Sequence, residues 1–297
     1  STLKYLPQKV GSELVPLLVD LQGGASATTL KGLAEYLASE IIAAARQSRN
    51  LHLPYPNADK LAQDPFPALQ SWLEQIEHTI PGKRFLLCLD EYERLSEVVD
   101  TTNSRAPLNF LRYVLQHRRQ WTLLFSGSHT LDQLPTYWSD YLINTRALRV
   151  SYLEETAARE LIVQPIQEFP KIYEPTAVDA IINVTRCQPY LVQLMCSVVV
   201  DRLNRDKRQL ATAEDVFTCM PIAIETGGMY FRELWGSLAQ SDRDLLLRLI
   251  EGETPNASDK PALRRLIGKE VLEKTEDTYS FQVPLVQKFV EQVALEG

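Results

Sequence analysis

The chain has 297 residues, of which 45% are hydrophobic and 23% charged, proportions close to those of average globular domains. Its formal net charge of −7 argues against a surface built mainly to neutralise nucleic-acid phosphates. The cysteines form no C-x-x-C pair and the histidines lack zinc-ligand spacing, so we expect buried apolar cysteines rather than metal ligands. No apolar run approaches the ~18 residues of a membrane span, and we predict a cytoplasmic protein that does not cross a membrane.

Short, continuous apolar runs alternate with helical patterns in the first half of the chain. The runs cover residues 15–20, 85–90 and 121–126, with a shorter fourth candidate at 147–150. Helical periodicity over residues 28–46 lies between the first two runs. Strands without apolar/polar alternation, separated by helices, are typical of a parallel sheet covered on both faces. The fold class predicted is therefore α/β.

The pattern changes after about residue 153, where strand signals stop and helical patterns follow one another. Near the C-terminus two helices precede a short hairpin, and Pro284 opens a last helix, an order that indicates a winged-helix module. We predict three domains: an α/β core over 1–152, a helical subdomain over 153–230 and a winged helix over 231–297.

An acidic pair, Asp90-Glu91, directly follows the second apolar run. The carboxyl ends of the strands are where open α/β sheets bind ligands, and in P-loop NTPases an Asp-Glu pair here holds Mg²⁺ and polarises the attacking water. The alternative is a solvated acid that caps a helix. The next run ends in Ser126-Gly127-Ser128, small polar residues suited to sensing a terminal phosphate, or simply a turn with Ser as the N-cap of a helix.

A nucleotide site also requires a phosphate loop of the form G-x-x-x-x-G-K-[ST], and the sequence contains none. The first residues of the chain nevertheless have the pattern of the helix that comes directly after such a loop. Ser1 and Thr2 form a hydroxyl pair, apolar residues at helical spacing come next, and a turn at Gly11 leads into the first strand.

The chain resembles the STAND and archaeal-type ATPase branch of the AAA+-like P-loop NTPases, whose core is followed by a helical lid and a winged helix. The resemblance covers nearly the whole chain in order and is carried by residues 1–6, 15–22, 86–91, 124–128, 153–157 and 188–193. It implies that ATP and Mg²⁺ bind between the α/β core and the lid.

The resemblance also implies roles for individual residues in the core. Ser1 and Thr2 match the hydroxyl end of the Walker A motif, although the direct Mg²⁺ ligand itself would precede them. Asp90 matches the Mg²⁺ carboxylate and Glu91 the catalytic glutamate. Either Ser126 or Ser128 matches the sensor on the adjacent strand.

Further matches lie beyond the core. Pro189 corresponds to the nucleotide-touching proline of the lid's Gly-x-Pro motif, in which Cys187 replaces the glycine. Arg146 and Arg149 match the place of an arginine that completes a neighbouring site, or are ordinary surface charges. In such proteins a central strand precedes Walker A; we therefore expect a gap beside the sensor strand and a natural N-terminus upstream of Ser1.

These observations predict a nucleotide-dependent switch that drives self-association or activates an effector domain. One alternative is a degenerate scaffold that does not hydrolyse nucleotide. The other is an ATP-dependent transcription regulator that contacts DNA through residues 231–297. That region carries nine Lys and Arg against twelve Asp and Glu, whereas a DNA-reading domain is usually basic on one face; we therefore favour packing and signal relay for it over nucleic-acid binding.

Overall fold

The computed structural model describes residues 2–23, 28–127, 134–276 and 278–296. The chain divides into two compact units, residues 1–147 and 148–297, each with a hydrophobic core of its own. No helix in the described part of the chain is long and apolar enough to span a membrane.

The first unit contains the parallel sheet predicted from the apolar runs. Its strands are β1 (Leu14–Asp20), β2 (Arg84–Asp90) and β3 (Trp121–Ser126). Both pairings are parallel and the order is β1-β2-β3, so β2 is central. All but the two terminal residues of β2 are buried, which is why its sequence shows no apolar/polar alternation.

Helices surround the sheet of the first unit. The longest begins after Thr29, whose side chain accepts a hydrogen bond from the backbone N–H of Gly32 at 3.0 Å, and ends at Asn50 in a left-handed conformation, as N-caps and C-caps commonly do. The helices are α1 (Leu6–Lys9), α2 (Leu30–Arg49), α3 (Ala58–Gln63), α4 (Pro65–Thr79), α5 (Leu95–Thr102), α6 (Ala106–His117) and α7 (Tyr137–Leu142).

The main core of this unit lies on one face of the sheet. Alternate residues of the strands point into it and meet the apolar stripes of α2, α4 and α6. The strand residues are Val15, Leu17, Val19, Phe85, Leu87, Leu89 and Trp121. At roughly 25 cal/mol per Å² of apolar surface removed from water, this burial is the main force that holds the strand ends in register.

The predicted fourth strand at 147–150 is wrong. Residues 145–150 have no regular secondary structure, and Leu148 and Val150 are 75% and 93% exposed. A strand needs a neighbour to satisfy its backbone, and this segment pairs with none of the described strands. Among the described strands the sensor strand β3 pairs with β2 alone, so its other edge carries no strand, which is the side where the gap is expected.

The second unit is helical apart from one short hairpin. Helices, hairpin and last helix share a single hydrophobic core. Its elements are α8 (Glu155–Val163), α9 (Pro175–Thr185), α10 (Pro189–Asp206), α11 (Ala213–Thr226), α12 (Gly228–Gly236), α13 (Gln240–Ile250), α14 (Lys260–Gly268), the antiparallel pair β4 (Leu272–Thr275) and β5 (Thr278–Phe281), and α15 (Pro284–Glu296). The α/β core followed by helices and a small antiparallel hairpin confirms the predicted fold class.

Candidate functional site

Three oxygen-bearing side chains follow one another along the carboxyl edge of the sheet. Asp20 ends β1, Asp90 ends β2 and Ser126 ends β3, and the strand register places Asp20 opposite Asp90 and Asp90 opposite Ser126. Neighbouring strands are about 4.8 Å apart, so these residues form a compact row. The structure therefore brings the predicted Asp90 and Ser126 together at the sheet edge.

Asp20 was not among the residues predicted for the site. Its backbone carbonyl accepts a hydrogen bond from the Tyr36 hydroxyl of α2, and its Oδ1 accepts one from the backbone N–H of Gln22 at 2.9 Å. The first contact fixes the end of β1 against α2, and the second fixes it against the next turn. The signal in the sequence was that the first apolar run, like the second, ends in an acid.

Glu91 follows β2 in a left-handed backbone conformation, with φ 53° and ψ 45°. This conformation is unfavourable for residues with a β-carbon, and non-glycine residues that adopt it cluster at functional sites. It turns the chain sharply off the strand, and the backbone N–H of Arg94 closes the turn on the Glu91 carbonyl at 3.0 Å. The predicted catalytic glutamate therefore lies at the edge of the sheet, directly beside Asp90.

The turn after Glu91 is anchored by an aromatic residue. The ring of Tyr92 is buried, with its centroid 5.7 Å from those of Phe125 and Trp138, both in edge-on geometry. Edge-to-face aromatic pairs contribute about 0.5–1.5 kcal/mol beyond burial. This anchor lets the strained Glu91 backbone persist in the folded chain.

The acidic surroundings change the acidity of Glu91. Its pKa is raised above the ordinary value, first by burial and then by the charges of Glu93, Asp90 and Asp20 together with a hydrogen bond shared with Glu93. Clustered acids disfavour ionisation of one another. A glutamate whose pKa is raised toward neutrality is a better general base or acid than a free one, and a cation bound here would relieve the repulsion.

Glu93 is a second residue of the site that the sequence did not reveal. A β-carbon at Gly127 would lie 1.9 Å from Glu93 Oε2, so the Glu93 carboxylate would have to move to admit any other residue there. The contact joins the turn after β2 to the residue that follows β3. Neither a strand pattern nor a known motif marks Glu93, because its position depends on the ends of two strands meeting in space.

The row of oxygens suits a hard divalent cation. No group of three or more His, Cys, Asp or Glu in the described part of the chain is arranged to hold a metal by itself. Mg²⁺ usually takes only one or two carboxylates, keeps several waters and binds the phosphates of a substrate. Asp90 and its neighbours fit that coordination and do not fit an all-protein metal cage.

The N-terminal residues predicted to face the phosphates are only partly described. Ser1 lies outside the described residues, and Thr2 begins a 3-10 turn, Thr2–Tyr5, that leads into the single turn of α1. Arg49 fixes this segment by donating hydrogen bonds to the carbonyls of Pro7, Val10 and Leu14, among others, at 2.8–3.2 Å. Ser128, the second sensor candidate, also lies outside the described residues.

Pro189 lies in the second unit, at the first position of α10. Gln188 caps that helix by accepting the Leu191 backbone N–H at 2.7 Å. Cys187 has a φ of 62°, and Arg186 before it a φ of 49°. A left-handed backbone gives a physical reason why the resembling family has glycine where this chain has Cys187.

The two arginines proposed from the resemblance differ in their surroundings. Arg149 donates to the Gly268 carbonyl and lies 3.5 Å from the Glu270 carboxylate, both within the second unit. Arg146 is exposed and forms no ion pair with the described residues. Arg149 is therefore engaged in holding its own unit, and Arg146 is the freer of the two.

Two solved structures share this architecture. A Walker-type ATPase of Pyrococcus abyssi aligns with a TM-score of 0.53 at 15% identity over 93% of this chain and 84% of that chain. The ORC2 protein of Aeropyrum pernix, solved as ADPNP–ADP complexes, aligns with a TM-score of 0.51 at 12% identity over 99% and 83%. The chain has an AAA+-like ATPase fold. No family model matches the sequence, and no curated protein matches it either.

Proposed function

We propose that this chain is the nucleotide-dependent module of a STAND-type switch, which binds ATP with Mg²⁺ and hydrolyses it slowly. The observation that carries the proposal is the row of Asp20, Asp90 and Ser126 at the carboxyl edge of a parallel sheet, with Glu91 beside it. Ligands bind at this edge in open α/β folds. The similarity in fold to a Walker-type ATPase supports the nucleotide-binding part of the proposal.

Each residue of the site has a chemical role in this proposal. Asp90 holds Mg²⁺, which neutralises charge on the phosphates, and Glu91 orients the attacking water and accepts its proton. Either Ser126 or Ser128 donates a hydrogen bond to the terminal phosphate. Ser1 and Thr2 would lie on the phosphate side.

The second unit relays the nucleotide state in this proposal. Pro189, at the start of α10, contacts the nucleotide, and the helices and hairpin of residues 153–230 and 231–297 respond as lid and winged helix. A bound ligand shifts a two-state equilibrium only through its different affinity for the two states. Self-association or an effector domain of the whole protein is the expected output.

Substitution of Glu91 tests the catalytic role. Glu91→Gln keeps the shape of the side chain and removes the base, so we expect hydrolysis to fall by about 100-fold or more while ATP affinity stays within about threefold. The measurements are phosphate release and titration calorimetry. Glu97→Gln, an exposed carboxylate six residues on, is the matched control, and an unchanged rate in Glu91→Gln would remove Glu91 from the mechanism.

A non-hydrolysing scaffold is the second candidate function. It is favoured by the missing G-x-x-x-x-G-K-[ST] stretch and by Cys187 at the glycine position. The same calorimetry separates the scaffold from the switch. A scaffold would not bind ATP in a Mg²⁺-dependent way, so Asp90→Asn would change nothing. Binding that Asp90→Asn weakens about tenfold or more supports the switch.

DNA binding through residues 231–297 is less well supported by the side chains. Of the basic residues around the second helix of this region, Arg265 is paired with the buried Asp242, and Lys269 donates to the Ser237 carbonyl at 2.9 Å. Lys274 lies over the ring of Tyr279. Arginines and lysines that already serve the fold offer less charge to a phosphate backbone. A salt-dependent duplex-binding assay on the protein tests this alternative directly.

A further inference from the structure

An open apolar groove lies on the first unit, and none of Asp20, Asp90, Glu91 and Ser126 lines it. It is formed by α2 and by the segment that leads from Tyr55 into α3, and its volume is about 770 Å³. Ala38 and Leu61 form a buried floor, and Ile42 is half-buried beside them. Tyr55, which forms part of the wall, is 80% exposed. We call this feature the α2 groove.

Opposite charges stand at the two ends of the α2 groove. Glu35 and Arg46 both line it and are exposed, and they are about 16 Å apart along the helix axis at a rise of about 1.5 Å per residue. Arg46 forms no ion pair with the described residues, and Glu35 has only the exposed Lys31 at 3.7 Å. Such an exposed pair contributes little. The charges are therefore available to an elongated occupant.

The α2 groove is complementary to itself. Residues 35, 39, 42 and 46 share one stripe of the helix because they are spaced four, three and four apart. When two such helices lie antiparallel about a two-fold axis, Glu35 of each faces Arg46 of the other, and Ser39 faces Ile42. A two-fold interface requires this matching of a surface with itself.

We propose that the α2 groove is the contact surface of a symmetric dimer, in which α2 of each copy lies antiparallel in the groove of the other. The small side chains of Ser39 and Ala43 allow the two helix backbones to approach closely. Tyr55 of each copy then covers the helix of its partner, which buries an aromatic ring that is otherwise in water. The inference does not depend on nucleotide binding or hydrolysis.

A charge swap tests the pairing. Glu35→Arg converts both symmetric attractions into repulsions, and so does Arg46→Glu, so each single variant should weaken dimerisation by about tenfold or more. The double variant Glu35→Arg/Arg46→Glu restores both pairs and should return to within about threefold of the wild-type protein. The two residues of one copy are too far apart to restore each other. Sedimentation equilibrium of the full chain without nucleotide gives the dissociation constants.

Two further variants complete the test. Arg112→Glu reverses an exposed charge on α6 outside the groove and should leave the dimer unchanged, whereas Tyr55→Ser should weaken it. Circular dichroism shows whether each variant is folded; all these side chains are exposed, so we expect it to be unchanged. A wild-type chain that stays monomeric overturns the proposal, and so does a dimer that is unaffected by the single reversals or not restored by the double variant.

Discussion

At the scale of single residues, the site combines strain with charge. Glu91 adopts a left-handed backbone and is surrounded by Asp20, Asp90 and Glu93, so its conformation and its charge both oppose folding. Tyr92 offsets these costs through its ring contacts with Phe125 and Trp138. Other described residues, such as Glu168 and Glu270, share the left-handed backbone, so it is the combination of strain with three neighbouring acids that favours a functional role for Glu91.

Replacement of Glu91 should therefore stabilise the protein. Glu91→Gly removes the left-handed penalty of about 1–2 kcal/mol and the repulsion between carboxylates. The greater entropy of the unfolded glycine chain offsets about 0.4–1 kcal/mol of this gain. We expect the free energy of unfolding of the first unit to rise by about 1 kcal/mol. Glu97→Gly, in the first turn of α5, should lower it by about as much because glycine weakens a helix. Urea unfolding of both variants checks the opposite signs, and a loss of stability in Glu91→Gly would contradict the strain.

The sequence identifies part of this site. Asp90, Glu91 and Ser126 could be predicted because each follows an apolar run, and parallel strands bring their carboxyl ends to one edge. Glu93 could not, since its contact with Gly127 arises where the segments that follow two different strands meet. The raised pKa of Glu91 was equally beyond the sequence, because it depends on burial and on the spacing of three other acids.

At the scale of elements, the short α1 is held by one side chain. Its four residues form a single turn, which is too short to be stable alone. Arg49, at the end of α2, donates to carbonyls of the segment from Pro7 to Leu14. The planar guanidinium satisfies several carbonyls at once, which a lysine cannot do.

Arg49→Lys should loosen the N-terminal segment. It keeps the charge and loses most of the hydrogen bonds, and hydrogen bonds to charged groups contribute about 1.5–3 kcal/mol. We expect faster hydrogen exchange over residues 6–14 and a fall of about 1–2 kcal/mol in the free energy of unfolding. Arg112→Lys on α6 is the control and should change neither. If exchange over 6–14 is unaltered in Arg49→Lys, the segment is held by something else.

The elements that the sequence misjudged are those that depend on a partner. The three strands of the sheet and the helix opened by Pro284 were predictable from periodicity and from a proline at the first helical position. Residues 147–150 have the composition of a strand but no neighbour, and they remain exposed. The helix expected after Thr2 shrinks to a 3-10 turn and one helical turn. Periodicity in the sequence indicates the local preference for helix or strand, whereas the secondary structure that forms also depends on tertiary contacts.

At the scale of the whole molecule, the two units respond differently to acid. In the first unit the pKa of Glu91 is raised, so the ionised form of Glu91 lowers the free energy of unfolding. Protonation of Glu91 at lower pH removes this loss. In the second, Asp215 and Asp259 each lie in the first turn of a helical segment and accept hydrogen bonds from a backbone N–H and an arginine, and these bonds lower the pKa of both carboxyls. Carboxyls with a lowered folded pKa lose their contribution to stability as the pH falls, so these two groups make the second unit less stable in acid.

Asp215 gives the clearest test of this difference. Arg208 donates to both of its carboxylate oxygens, at 2.6 and 2.9 Å, and this pair, with the Thr212 cap, holds the pKa of Asp215 well below its usual range. Its contribution is fully present above about pH 4, the unfolded pKa, and is lost as the pH falls through the lower folded value.

We expect Asp215→Asn to lower the free energy of unfolding of the second unit by about 2 kcal/mol at pH 7, because the buried carboxylate is replaced and Arg208 loses its partner. The difference from the wild-type protein should narrow steadily below about pH 4, because the Asp215 carboxylate of the unfolded chain then takes up a proton that the folded chain still excludes. Urea unfolding across this pH range, followed by circular dichroism, measures it. Asp201→Asn, an exposed aspartate on α10, should show no difference at either pH. A gap between Asp215→Asn and wild type that is the same at pH 7 and at pH 3 would mean that Asp215 acts through its shape and not its charge.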